Sequence, residues 1–388
     1  MRIFKCSGMK KIVFLLLIYL GLHLLIIGLP RTYVFDEYWY VPSAKRIIQD
    51  GVNLRPEHPP LAQVLIATGI TLFGDNPLGW RIFSVVFGVL SILALYLLVK
   101  EISKNEWTAF MSAALLSFEK MFFTFSSLAL LDVFFIFFMI LSFHLFFKNQ
   151  FARSAVVAGL GAVCKLNAAL TAPILILYHI FDRFSLSIRA WVKSIRWMKI
   201  VIWLSVFLAS ILIFLYIFDR VYTGPGLEMF SNPVNHLKYM LGIHTSTNWR
   251  RSDEPGPWTW IFSPSNYYYG DLSVARIPYL EVFNPFVSGL SLVSVPYSIY
   301  NLKRTKDRLS LFGLIWFSIT YFVWFPSYFI FSHPLFSFYI LATIPSICMI
   351  NTIFFQNDRR LAESIVMMAA AYFLFFQYPI RILFWPSV

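Results

Sequence analysis

Apolar runs of about 20 residues recur along the whole chain, and that is the length an α-helix needs to cross a bilayer. Lipid cannot satisfy open backbone groups, so the choice lies between a helical bundle and a closed β-barrel. Barrel strands are only about 10 residues long and alternate in polarity, whereas these runs are continuous. The expected fold class is an all-α polytopic membrane protein. Composition agrees: 59% of the 388 residues are hydrophobic and only 13% are charged. A net charge of +13 would suit a nucleic-acid partner in a soluble protein. Here Lys and Arg collect in short loops between apolar runs, where they set orientation, and no nucleic acid is expected. Cys6, Cys164 and Cys348 form no zinc or redox motif.

The runs read as 12–29, 80–99, 107–118 with an extension toward 124, 129–147, 154–181, 200–218, 282–302, 309–331, 335–355 and 364–384. Residues 1–11 carry Arg2, Lys5, Lys10 and Lys11, and the run behind them lacks a small-residue cleavage site, so a retained first helix with a cytoplasmic N-terminus is expected. The segment 61–73 is too short to span a core of about 30 Å and is placed as an interfacial helix. The run 154–181 contains Lys165 and Asn167, with Pro173 beyond, and is read as two short helices with Lys165 near their outer turn. The basic loops then all fall on the cytoplasmic side, including Arg183, Arg189, Lys193, Arg196 and Lys199 between two runs. About eleven spans result. The chain reads as a single transmembrane domain over 1–388, with outer segments at 30–80 and 219–280 and no separate soluble domain or internal repeat.

The outer segments hold most of the residues that could do chemistry. Asp36-Glu37 follows the first run, and acids beside a span are costly unless used. Helix capping is the ordinary alternative, but a cap needs one acid. Glu57-His58-Pro59-Pro60 presents a carboxylate and an imidazole ahead of the prolyl start of 61–73. Arg81 opens the next span, where an interfacial anchor is the ordinary alternative. Asp132 starts an intensely apolar run and Lys165 interrupts another, so each marks a cavity or a structural pair, Asp132 with Lys165 or with Arg81. Downstream lie His244, Arg250, Trp258 and Tyr268 in a stretch rich in aromatic residues, which suits either an interfacial belt or the faces of a sugar.

Taken in order, Asp36-Glu37, Glu57 with His58-Pro59-Pro60-Leu61, GDNPLGWR ending at Arg81, LLD ending at Asp132 and GLGAVCKLNA around Lys165 resemble the protein O-mannosyltransferase family and its relatives, the lipid A aminoarabinose transferases. Pro257-Trp258-Thr259-Trp260, followed by Tyr267-Tyr268-Tyr269, resembles the mannosyltransferase signature of a later loop, and Phe338-Tyr339 with Pro345 resembles a segment late in both groups. His58 stands where the aminoarabinose transferases carry a Lys-Pro-Pro pattern, which favours the mannosyltransferase side. The resemblance implies a C-type glycosyltransferase fold and transfer of mannose or a similar sugar from a polyprenyl or dolichyl phosphate on the extracytoplasmic face. The acceptor it implies first is protein Ser or Thr, with a glycolipid such as lipid A or a cell-surface glycan as the alternative.

On that resemblance Asp36 is the expected general base, with Glu37 beside it in the catalytic pair. Glu57, His58, Arg81, Asp132, Lys165, His244, Arg250, Trp258, Tyr268 and Tyr339 are the expected substrate contacts. No cofactor is required, since cations can neutralise a leaving phosphate, although Asp36, Glu37 and Asp132 also offer oxygen ligands to a divalent cation. Relatives form homo- or heterodimers, and a dimer is compatible with the sequence. The shortness of 219–280 points to a prokaryotic plasma membrane rather than the endoplasmic reticulum. A secondary transporter is the rival class, but its charges would gather near the midplane instead of on one face.

Overall fold

Capping residues, prolines and buried charges cut the apolar runs into helices of unequal length, and the cuts, more than the spans, build the site. The computed structural model describes residues 8–184, 187–221, 232–246, 256–261, 283–330, 335–377 and 380. In chain order the helices are α1 (Gly8–Ile26), α2 (Glu37–Asp50), α3 (Leu61–Phe73), α4 (Pro77–Ser103), α5 (Glu106–Ser117), α6 (Lys120–Ser127), α7 (Asp132–Phe147), α8 (Phe151–Cys164) and α9 (Thr171–Phe181). There follow α10 (Ile188–Ser194), α11 (Trp197–Val221), α12 (Pro233–Ser246), α13 (Ser291–Thr305), α14 (Arg308–Phe322), α15 (Trp324–Ile330), α16 (Ile344–Phe354) and α17 (Arg359–Phe376). Among the described residues there is no strand.

Among the described residues four stretches are individually long and apolar enough to cross a membrane, Gly8–Ile26, Pro77–Ser103, Trp197–Arg220 and Arg308–Ile330, and the protein is an integral membrane protein. Other expected runs are divided. The run from 107 toward 124 ends at Phe118, because the Glu119 carboxylate accepts from Phe122 N at 2.8 Å and caps a new helix. That helix, α6, meets α7 at a bend of 115°. The run 335–355 begins as a 3-10 turn, Ser337–Ala342, and becomes α-helical only at Ile344, with Pro345 in its first turn. The run 154–181 breaks at Lys165, whose extended backbone (φ −156°, ψ 134°) separates α8 from a 3-10 turn over Leu166–Leu170 and then α9. Helices also occupy 37–50 and 61–73, where the sequence places interfacial ones.

One buried ion pair sets these pieces against each other. Glu37 and Arg81 are both fully buried. Arg81 Nε donates to Glu37 Oε1 at 2.8 Å and Nη2 to Oε2 at 2.7 Å, a bidentate fork. Arg81 also donates to the carbonyls of Ile27, Leu29, Pro30 and Thr32, so it gathers the whole link between α1 and α2. Glu37 in turn accepts from Val34 N at 2.9 Å and from Ala129 N at 2.8 Å, which pins the α6–α7 corner to the start of α2. Arg81 reaches this position because α3 and α4 meet backbone to backbone: a Cβ on Gly69 would overlap the Gly79 carbonyl.

Breaking this pair strands a charge in a dry interior, at a cost of about 3–5 kcal/mol. Glu37→Ala is therefore expected to lower the thermal unfolding midpoint of the detergent-solubilised protein by several degrees. A midpoint equal to that of the parent would show that the pair does not hold the link between α1 and α2.

Candidate active site

Asp36 occupies the N-cap of α2, yet its side chain makes no capping hydrogen bond. An Asp at this position ordinarily satisfies a free helix amide. Here the carboxylate faces a cavity instead, which removes capping as the explanation for this acid. The preceding residue, Phe35, has φ +53°, a left-handed backbone that bulky side chains rarely adopt. Its ring is held edge-on against Phe125 and Phe338, with centroids 6.4 and 5.4 Å away. The fold thus maintains an unfavourable turn immediately before the acid.

Asp36 lies half-buried, and burial is the main reason its pKa rises to about 6. The Lys165 and Arg55 charges pull it down and the Asp132 carboxylate pushes it up. Lys165 donates to Asp132 Oδ1 at 2.7 Å, the pairing that the sequence allows as an alternative to Asp132 with Arg81. The break between α8 and α9 carries the lysine to this point, and Asp132 meets it from the first residue of α7. The ammonium lies over the rings of Phe338 and Tyr339, 5.3 and 5.8 Å from their centroids, with both rings supplied by the 3-10 turn before α16.

The third side is the link between α2 and α3. Arg55 stacks on Trp39 at 4.1 Å and reaches Glu57 Oε1 at 3.3 Å, and its buried Nε has no hydrogen-bond partner. His58 Nε2 meets Tyr40 Oη at 3.3 Å. Two histidines of α12 hold this link by its carbonyls. His236 bonds to Pro56 O at 2.8 Å through Nε2 and to Asp219 Oδ1 at 2.8 Å through Nδ1, and His244 Nε2 bonds to Glu57 O at 3.2 Å. Burial lowers the His244 pKa; its bond to Glu57 opposes the shift and the Lys165 charge adds to it.

These groups enclose a cavity of about 710 Å³ lined by Asp36, Tyr40, Arg55, Glu57, His58, Lys165, Asn167, His244, Trp324 and Tyr339. Its remaining wall is mostly apolar, formed by Leu166, Leu170, Leu241, Val323, Leu335 and Phe336 among others, with the hydroxyl residues Thr245 and Ser327 between them. One end therefore offers a base between cations, and the rest suits a hydrocarbon.

Several expected contacts lie elsewhere. Glu37 and Arg81 do not line the cavity, because each is consumed by the other in the clamp behind it. Asp132 also sits behind the wall and acts on the cavity through Lys165. Trp258 is half exposed and stacks on Phe329 of α15 at 6.1 Å, outside the lining. Its neighbour Trp260 is buried edge-on to Tyr339 at 6.4 Å, so this motif braces the cavity from behind. Arg250 and Tyr268 lie outside the described residues. Sequence reasoning missed Arg55, Tyr40 and Trp324. Arg55 carries a signal in hindsight, a basic residue two before Glu57, whereas Trp324 looks like any interfacial aromatic.

Residues 57–214 match the model of the family described as dolichyl-phosphate-mannose-protein mannosyltransferase. The Saccharomyces cerevisiae protein O-mannosyltransferase Pmt1-Pmt2 complex, solved bound to its sugar donor, superposes with a TM-score of 0.77 at 13% identity, over 97% of this chain and 90% of that one. The fold is that of the C-type glycosyltransferases. ArnT from Cupriavidus metallidurans, solved with undecaprenyl phosphate, shares the C-type fold with a TM-score of 0.67 at 14% identity, over 94% of this chain and 63% of that one.

In sequence, an uncharacterised Aquifex aeolicus protein is 25% identical over 81% of this chain and 59% of its own length. A polyprenol-phosphate-mannose protein mannosyltransferase of Corynebacterium glutamicum is 34% identical over 28% of this chain and 23% of its own. The chain spans less than two thirds of the length of either relative. The chain thus shares the C-type fold, and its N-terminal half resembles proteins named for polyprenyl-phosphate sugar donors.

Proposed function

We propose that this protein is a membrane glycosyltransferase that moves mannose or a similar hexose from a polyprenyl phosphate to an acceptor hydroxyl on the extracytoplasmic face. The observation that carries the reading is Asp36, an acid at a helix N-cap that caps nothing and faces Lys165 and Arg55 across a cavity with an apolar wall. In the proposed step the acceptor oxygen attacks the anomeric carbon while Asp36 takes its proton. The bond from that carbon to the phosphate oxygen breaks as the new one forms, and the electron pair leaves with the polyprenyl phosphate. Lys165 and Tyr339 receive the developing charge, with Arg55 beside them. Displacement at one carbon with no covalent sugar intermediate inverts its configuration. Glu57 and His58 orient acceptor or sugar, and Asp132 holds Lys165 in place.

Protein Ser or Thr is the acceptor we favour, since the family description and the Corynebacterium relative name protein acceptors. The deciding experiment supplies labelled polyprenyl-phosphate mannose to membranes and asks whether protein or lipid gains label.

Asp36→Asn is expected to reduce transfer by a factor of about 10²–10⁴ while donor binding persists. A pKa of about 6 also sets a pH dependence. Above it the carboxylate is ionised and can accept a proton; below it the base is lost, so kcat/KM should fall as pH drops through about 6. Near-normal turnover of the variant, or an acid limb that persists in it, would remove Asp36 from this role. Lys165→Ala is expected to weaken donor binding by a factor of about 10–100, read directly with a polyprenyl phosphate, because a charge-assisted bond contributes about 1.5–3 kcal/mol. Unchanged affinity would contradict the phosphate contact. Because Lys165 and Arg55 supply positive charge, we also expect full activity in the presence of chelator; activity lost with EDTA and restored by a divalent cation would assign the acids to a metal.

A further inference from the structure

At the membrane face opposite the cavity, the connection from α9 to α11 carries Arg183, Arg189, Lys193, Arg196 and Lys199 with no acid between them. The direction of the helices fixes which face this is. Leu170, at the start of α9, lines the cavity, and Asp219, near the end of α11, holds His236 above it. The opposite ends therefore lie away from the cavity, Phe181 by the length of α9, about 16 Å, and Trp197 by that of α11, about 37 Å. The nearest carboxylate, Asp182, is occupied by Arg308 at 2.9 and 3.0 Å and by Tyr178 Oη at 3.0 Å. None of the five cations forms an ion pair among the described residues.

The connection is folded, not merely charged. Trp191 of α10 donates to Ile180 O at 2.8 Å and packs against Phe181 and Phe184, which turns α10 back onto the end of α9. Beside it is an apolar slot between Phe146, Phe151, Leu175, Ile176, Ile200 and Trp203. Lys199 stands at the slot with its ammonium 4.4 Å from the Phe151 ring centre, and His179 Nε2 is buried in the wall without a hydrogen-bond partner. The enclosed space is about 10 Å³, enough for a single oxygen atom. Trp197, Met198, Val201 and Ile202 on the same end of α11 are exposed hydrophobic side chains.

We infer that this corner is a binding site for an anionic phospholipid, one phosphate oxygen entering the slot toward His179 and Lys199. Arg183 and Arg196 neutralise the rest of the headgroup, and the acyl chains lie along the exposed apolar end of α11. Each element of the site asks for a different part of that ligand. The cations lack a counter-charge, the orphaned imidazole nitrogen lacks a partner, and the exposed apolar side chains need hydrocarbon rather than water. A soluble anion would leave the last unmet, and a zwitterionic lipid would leave the first.

The site can be tested on the purified full chain by native mass spectrometry, counting retained phosphatidylglycerol against phosphatidylcholine of the same chain length. Phosphatidylglycerol should be retained preferentially. Lys199→Met should reduce that preference about fivefold, the weight of one cation near a headgroup. The combined variant Arg183→Gln, Arg196→Gln, Lys199→Gln should abolish it, whereas Lys303→Gln, Arg304→Gln, Lys306→Gln, which removes equal charge from another loop, should leave it intact. Should the first triple variant fail to elute as a single species, Lys199→Met and His179→Leu carry the test alone. Equal retention of the two lipids by the parent, or equal loss in both triple variants, would overturn the site. These outcomes do not involve glycosyl transfer and stand apart from the proposed activity.

Discussion

The architecture of the site depends on keeping one carboxylate away from solvent and bound to one guanidinium. Without the Glu37–Arg81 pair, the link from α1 to α2 would have no reason to fold against α4, and the α6–α7 corner would lose its tether at Ala129. Such a pair is not a cheap way to gain stability, since desolvating two ions offsets most of their attraction. What it supplies is definition. Four loop carbonyls and two loop amides converge on two side chains, and the neighbouring acid is thereby fixed in the opposite direction.

That geometry explains what a reader of the sequence could and could not see. Adjacent residues at a helix start project about 100° apart, and here that offset lets Asp36 face the cavity while Glu37 turns into the clamp. In sequence they are two equivalent acids; in space one faces the cavity and the other is a strut. Lys165 was legible because a charge inside an apolar run has few acceptable surroundings, and the same holds for Asp132. Glu57, His58 and Tyr339 came with the motif order and His244 with the aromatic-rich segment 219–280, and all four line the cavity. Arg81 was misplaced because an interfacial arginine looks the same whether it faces a ligand or a loop carbonyl.

The helix list shows the same limit. Hydropathy found the apolar segments, but it is blind to where a helix stops inside one. Glu119 ends the run from 107 by capping its successor, and the first turn before Ile344 is 3-10. Both departures serve the centre of the molecule: the first creates the sharp corner that Glu37 grips, the second brings Phe338 and Tyr339 to Lys165. Irregular backbone at such depth is tolerated where it borders a cavity instead of lipid.

The grip of His236 and His244 on the carbonyls of Pro56 and Glu57 has a mechanical corollary. A carbonyl cannot turn away while its chain stays put, so these bonds open only if an imidazole rotates or the main chain moves. Helix α12 and the stretch 55–58 are thereby joined, so a displacement of one that keeps both bonds carries the other with it.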